Sequence, residues 1–387
     1  MTRRAVVRPP TGIKGGMASL TRTPPGNALP DFPWDTIADV KNRAAQHPDG
    51  IVNLSVGTPV DDVAEPIRDA LTAAAAEPGY PQTTGTPELN RALVESLSRR
   101  YNMTGLTSEC VLPVIGTKEA IALLPMLLGV GAGHTVIIPE VAYPTYEVSA
   151  LMSGARPQRA DSLTQIGPAT PTMMFINSPS NPTGKVLGIE HLRKVVGWAQ
   201  DRGVILCSDE CYIGLGWDEE NPPLSILDER VCGGDHAGLI AIHSLSKSSN
   251  MASYRAGVLA GDGELIGQLL EVRKHCGLMM PGPIQAAMVA ALDDDAQEAE
   301  QKERYRARRD KLLAALTGAG FTVDYSEAGL YLWATRDEDC RTTLDWFAER
   351  GILVAPGDFY GPKGARHVRM ALTGTDERID AAVARLA

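Results

Sequence analysis

Through the middle of the chain, short apolar runs alternate with longer stretches that repeat apolar residues three and four positions apart. The runs fall at 111–115, 135–138, 172–176, 204–207, 239–242 and 256–260. Each has the length of a buried strand, and 117–128 and 189–201 have helical periodicity. The alternation predicts an α/β fold, with a mainly parallel sheet flanked by helices in a large domain. Upstream, Asp35 is a candidate N-cap for a helix reaching Gln46, 51–56 is a candidate strand, and 66–76 and 87–101 read as helices. After Pro281-Gly282-Pro283 the pattern changes. A long charged helical stretch covers 284–315. Short apolar runs follow at 321–324, 330–333, 353–355 and 367–372, with a helix near 342–350. This predicts a second, smaller α+β domain. The division expected is a tail at 1–30, a segment at 31–50 packing with the small domain, a large domain at 51–283 and a small one at 284–387.

Composition narrows the classes. The chain has 387 residues, 44% of them apolar, and a net charge of −10. That balance argues against a nucleic-acid surface. No run of about 18 apolar residues is present, so no membrane span is expected. The basic, Pro- and Gly-rich start, MTRRAVVRPPTGIKGG, lacks the apolar core of a secretory signal, and Met17 is an alternative first residue. Six scattered cysteines point to reduced thiols in a cytoplasm. Cys207 and Cys211 have no further ligand pair at zinc-site spacing, so no metal is expected.

The chemistry collects where the apolar runs end, the edge at which open α/β sheets bind ligands. After 239–242 come Ser244, Ser246 and Lys247, then Arg255 and Gly257. An amine there can condense with a carbonyl, while hydroxyls and a guanidinium hold a phosphate. Asp209 closes an apolar run, and a carboxylate so placed needs a cation or hydrogen-bond donors. Tyr212 follows three residues on, and Asn181 sits in an Asn-Pro-Thr-Gly turn. Gly116-Thr117-Lys118 opens a helix, where main-chain N–H groups suit a phosphate. Tyr143 could stack on a flat cofactor. Arg369 lies between apolar neighbours in HVRMAL, where an arginine seeks a carboxylate. Each residue alone has a commoner explanation, as a cap, a turn or a packing group. Their joint placement at run ends does not.

These motifs resemble the class I/II aminotransferases, fold type I enzymes that use pyridoxal phosphate. The resemblance rests on Asn181-Pro182-Thr183-Gly184, Asp209-Glu210-Cys211-Tyr212, Ser244-Leu245-Ser246-Lys247 with Arg255, and the late Arg369. It spans Phe32 to the carboxyl terminus. It implies that Lys247 holds the cofactor covalently and moves the proton. Asp209 would pair with the ring nitrogen, and Asn181 and Tyr212 with the ring hydroxyl. Gly116, Thr117, Lys118, Ser244, Ser246 and Arg255 would hold the phosphate, with Tyr143 on the ring. Arg369, with Gly57 and Asn181, would bind the substrate. Tyr80 would reach the phosphate of a neighbouring subunit, which implies a homodimer. Phe32-Pro33-Trp34-Asp35 and Leu54-Ser55-Val56-Gly57-Thr58-Pro59-Val60 are similar to the actinobacterial N-succinyldiaminopimelate aminotransferases of lysine synthesis. That implies glutamate as donor and an N-succinylated keto acid as acceptor, with Lys118, Arg22, Arg273 and Lys363 as candidate readers of a distal carboxylate. Alternatives on the same scaffold are an aspartate, alanine or aromatic aminotransferase, a C–S β-lyase, or a non-enzymatic regulator.

Overall fold

The computed structural model describes residues 25–387. The expectations placed on 1–24, including Met17 and Arg22, lie outside the described residues. Among the described residues, thirteen strands, β1 (Val52–Asn53), β2 (Val111–Ile115), β3 (Thr135–Ile138), β4 (Arg156–Arg159), β5 (Met173–Asn177), β6 (Ile205–Asp209), β7 (Leu239–Ser244), β8 (Ala256–Gly261), β9 (Thr322–Asp324), β10 (Tyr331–Thr335), β11 (Ile352–Leu353), β12 (Ala355–Pro356) and β13 (Val368–Ala371), form three sheets.

The large sheet runs β2-β8-β7-β6-β5-β3-β4. Only β8 runs against the direction of the other six, so the expected mainly parallel sheet is what forms. β5, β7 and β8 are almost wholly buried, because helices cover both faces, and so they read as unbroken apolar runs. β4 carried no such signal. Its sequence, Arg-Pro-Gln-Arg, is polar and contains a proline, which an edge strand tolerates.

The smaller unit is a four-stranded antiparallel sheet, β12-β13-β10-β9, with β1 and β11 paired in parallel beside it. Its core joins Ile37, Val52 and Leu54 from the amino-terminal segment to Leu312, Leu344, Phe347 and Ile379. Leu54 ties the two, donating to Leu353 O and accepting from Ala371 N, each at 2.8 Å.

Two local expectations fail. Asp35 does not cap a helix: Pro33–Ile37 is a 3-10 turn that starts at proline, and the α-helix begins at Ala38. The stretch 284–315 is two helices, Gly282–Asp293 and Asp295–Gly318. Asp294, with extended backbone, breaks the run and caps the second helix, accepting from Ala296 N at 2.9 Å. The first helix buries Ala287, Met288 and Ala291 in the core of the large unit, and the second sends Leu312 and Leu316 into the small one.

Candidate active site

Between the two units lies a cleft of about 420 Å³. Gly57, Thr117, Lys118, Tyr143, Asn181, Asp209, Tyr212, Ser244, Ser246, Lys247, Arg255 and Arg369 all line it. The carboxyl ends of β2, β5, β6 and β7 deliver most of them. β8 runs the other way, so Arg255 stands just before its start, at the same edge.

Gly116 precedes the helix Thr117–Leu127 with φ +77°, a conformation that favours glycine. A Cβ there would collide with the Arg255 guanidinium, and a Cβ at Gly257 would come within 3.0 Å of Thr117 N. The two glycines therefore leave a cradle between a helix start and an arginine. Ser244 caps the turn that carries Lys247, accepting from Ser246 N at 3.1 Å.

Asp209 is buried at the end of β6. Its Oδ2 accepts from the Tyr146 hydroxyl at 2.7 Å and its Oδ1 from Cys211 N at 3.2 Å. Burial pushes its carboxyl above the usual range, against these hydrogen bonds. Burial also pushes the Lys247 amine down, with Arg369 and Arg255 acting the same way and Tyr331 and Cys211 opposing. The amine donates to Gly57 O. Burial lifts the Tyr143 phenol to about 12.

Arg369, 3% exposed on β13, donates to Asn181 Oδ1 at 2.9 Å and to Ser55 O at 2.7 Å. Its guanidinium lies 3.9 Å over the Tyr331 ring, and its buried Nε has no partner. Among the described residues, Lys247, Asp209, Arg255 and Arg369 make no ion pair, although three of the four are cations around one carboxylate. Pyridoxal phosphate fits this set. The glycine cradle suits its phosphate, the acceptor Asp209 its pyridine nitrogen, the Asn181 and Tyr212 side chains its phenolic oxygen, and the Lys247 amine its aldehyde.

The remaining expected residues are elsewhere. Tyr80 is 97% exposed and outside the cleft of its own chain. Arg273 is buried against Glu119, with contacts of 3.1 and 3.2 Å. Lys363 lies 3.5 Å from Glu140. Lys118 alone of the described candidate cations lines the cleft, its Nζ 5.5 Å from the centre of the Phe32 ring. There the cleft opens into an outer chamber of about 800 Å³, walled by Phe32, Trp34, Tyr143 and Phe359.

Four contributors were not anticipated. Tyr146 holds Asp209. Asn177, closing β5, donates to Asp209 O at 2.7 Å and accepts from Asn181 N at 2.7 Å. Ser55 receives Arg369. Tyr331 meets the Tyr212 hydroxyl at 3.2 Å; burial alone would raise its phenol, but the Arg369 and Lys247 charges hold it below the usual range. Strand alternation carries a signal for Tyr331. It stands two residues before Trp333, which pairs with Arg369, so all three share one face.

The comparisons agree with the geometry. The family model for aminotransferase class I and II matches residues 49–386. A probable aminotransferase of Mycobacterium tuberculosis is 64% identical over 359 residues, covering 93% of this chain and 85% of that protein. The 4-dedimethylamino-4-oxo-anhydrotetracycline transaminase OxyQ of Streptomyces rimosus is 55% identical over 358 residues, covering 92% of this chain and 99% of that one. The solved N-succinyldiaminopimelate aminotransferase of M. tuberculosis superposes with a TM-score of 0.83 at 27% identity, covering 95% of this chain and all of that chain. With its buried Asp209, its cleft-lining Lys247 and its glycine cradle, the chain belongs to the class I and II aminotransferases, enzymes that depend on pyridoxal phosphate.

Proposed function

We propose that this enzyme moves the amino group of glutamate to an N-succinylated amino-keto-pimelate, in the cytoplasm and as a homodimer. The observation that carries the proposal is the convergence of Arg369, Lys247 and Asp209 on one cleft without mutual ion pairs. When bound, pyridoxal phosphate supplies an electron sink for the charge left as the substrate's α-proton departs. The chain's residues do the rest. Arg369 has a free Nε for the α-carboxylate of donor and acceptor alike, and Asn181 and Gly57 border the same space. Lys247, with its amine lowered by burial, would take the α-proton and return it to the carbon on the far side of the amino nitrogen. Asp209 keeps the pyridine nitrogen protonated. Asn181 and Tyr212 donate to the phenolic oxygen. Gly116, Thr117 and Lys118 with Ser244, Ser246 and Arg255 hold the phosphate, and Tyr143 covers the ring. Tyr80, exposed on its own subunit, serves the partner's phosphate.

The finer assignment draws on the chamber beyond Lys118. A substrate with a long second arm can pass its α-carboxylate to Arg369 and still place a distal carboxylate near the Lys118 ammonium. The likeness to the M. tuberculosis N-succinyldiaminopimelate enzyme supports this choice. A second reading is favoured by the rings of Phe32, Trp34 and Phe359. They suit a flat, multi-ring ketone, the kind of acceptor named for the Streptomyces relative.

The test is the near-visible absorption of the purified protein. A band that bleaches with glutamate and returns with 2-oxoglutarate establishes the donor half. Return with a succinylated amino-keto-pimelate in preference to a polycyclic ketone supports the first acceptor, and the reverse supports the second. A band indifferent to glutamate sinks the donor assignment.

A further inference from the structure

The helix Asp295–Gly318 buries one stripe: Glu298, Gln301, Tyr305, Arg308, Leu312 and Leu316. Spacings of three and four keep these residues on one face. The stripe changes chemistry halfway along. Leu312 and Leu316 fill the small unit's core. The turns before them bury polar groups, which costs free energy unless each group finds a partner.

Those partners lie around the proposed catalytic lysine. Gln297 Nε2 donates to Ser249 Oγ at 2.9 Å. Gln301 Oε1 accepts from Asn250 Nδ2 at 2.8 Å. The Tyr305 hydroxyl lies 3.4 Å from both Lys247 O and Asn250 Oδ1. Three successive turns of one helix thus touch Lys247, Ser249 and Asn250. Asn250 has φ +55°, the left-handed region that most side chains avoid. Asparagine tolerates that region better than most residues, and the helix adds side-chain partners at 249 and 250.

The same side chains reach the other side of the amine. Gln301 Nε2 donates to Asp61 Oδ2 at 2.8 Å, and Arg308 grips both Asp61 oxygens at 2.6 and 2.7 Å. Asp61 is four residues past Gly57, whose carbonyl accepts the Lys247 amine. One helix therefore holds both the main chain of the lysine and the segment that carries its acceptor.

We infer that Gln301 and Tyr305 are positioning residues that aim the Lys247 amine. The inference rests on the role proposed for Lys247. Neither residue lines the cleft, so neither touches substrate or cofactor. Their effect passes through the backbone at 247–250 and the segment 57–61. A displaced amine meets different neighbours, so its proton affinity changes together with its aim.

The experiment uses the full-length protein as Gln301→Met and Tyr305→Phe, two substitutions that keep bulk and remove hydrogen bonds. Three quantities are read: the rate at which apoenzyme captures pyridoxal phosphate, the pH midpoint of the substrate-free near-visible band, and the melting temperature. We expect slower capture in both variants, by about fivefold, and a midpoint moved by about half a pH unit, as expected for a relocated amine. Unchanged capture and midpoint in both variants would overturn the inference, whatever the melting temperature does. So would a lower melting temperature as the sole change, since that marks a purely structural network. Absence of any band in the unsubstituted protein overturns the cofactor role of Lys247, a failure distinct from these two.

Discussion

The Tyr146 hydroxyl donates to Asp209 Oδ2 at 2.7 Å, with both side chains buried and the tyrosine ring stacked on Phe175 at 5.0 Å. Burial raises the Asp209 carboxyl, and Tyr146 is one of the donors that favour its charged form. Tyr146→Phe removes that donor and leaves burial less opposed. A hydrogen bond to a charged group is worth about 1.5–3 kcal/mol, so cofactor affinity should fall by about tenfold to a hundredfold. The loss should deepen toward acid pH, where Asp209 takes up its proton. Titration of apoenzyme with pyridoxal phosphate across pH checks both points.

Gly116→Ala should separate folding from cofactor binding. The new methyl would enter the space of the Arg255 guanidinium at a backbone φ of +77°. Strain in the left-handed region costs about 1–2 kcal/mol, too little to unfold a domain of this size. We expect near-normal circular dichroism with a cofactor that washes out on dialysis.

Arg369→Lys should preserve the bound cofactor and lose the substrate. Lysine keeps the charge but not the planar fork that a carboxylate matches. The loss of a buried charged partner costs about 2–5 kcal/mol, so kcat/KM for glutamate should drop by about thirtyfold or more. Steady-state kinetics, with the near-visible band as loading control, decides this. An unchanged KM would remove Arg369 from carboxylate recognition.

Burial pushes the Asp61 carboxyl up, but its bonds from Arg308 and Gln301 outweigh that and hold it below the usual carboxylate range. The unfolded chain therefore takes up this proton at higher pH than the folded one. The contribution is complete above the ordinary carboxylate value near 4 and is lost as pH falls further. Asp61→Asn should destabilise the enzyme by about 1.5–3 kcal/mol at neutral pH and by less in acid. Urea unfolding at both ends of that range measures the difference.

Lys118→Ala bears on the acceptor. The side chain is exposed, lies at the mouth of the outer chamber and contacts the Phe32 ring. For an acceptor with a distal carboxylate, KM should rise by up to about fivefold, the worth of one exposed charge contact. KM for glutamate should stay within about twofold. For a flat uncharged ketone the substitution should be close to neutral.

Residues at the ends of apolar runs were legible in the sequence for a physical reason. Buried parallel strands must be apolar throughout, so the polar groups that follow each run mark the edge where ligands sit. Asp209, Lys247 and Thr117 follow that rule and meet in one cleft. The groups that hold them did not show themselves in this way. Tyr146 looks like any helical tyrosine, and only the fold brings it to an aspartate 63 positions away. Gln301 and Tyr305 sit in a long charged helical stretch with no mark of their burial, yet the seam between the units buries them. The break at Asp294 was hidden among three consecutive aspartates, of which one is a cap. Arg369 could be placed on a buried strand, but its guanidinium is framed by Ser55 and Asn181, far away along the chain.

The reversed direction of β8 has a consequence for how this enzyme folds. Because β8 returns antiparallel along β7, Ser244 pairs with Gly257, and Lys247 and Arg255 belong to a single hairpin. The residues proposed as covalent anchor and phosphate anchor are thus joined by contacts of low sequence separation, whose loop closure is entropically cheap. Parallel pairs such as β6 with β7 need far longer excursions of the chain. The hairpin can take shape before the remainder of the sheet assembles, and a nascent chain halted soon after Gly261 already contains both anchors. Lengthening the 245–255 connection would separate them without altering any residue that either one touches.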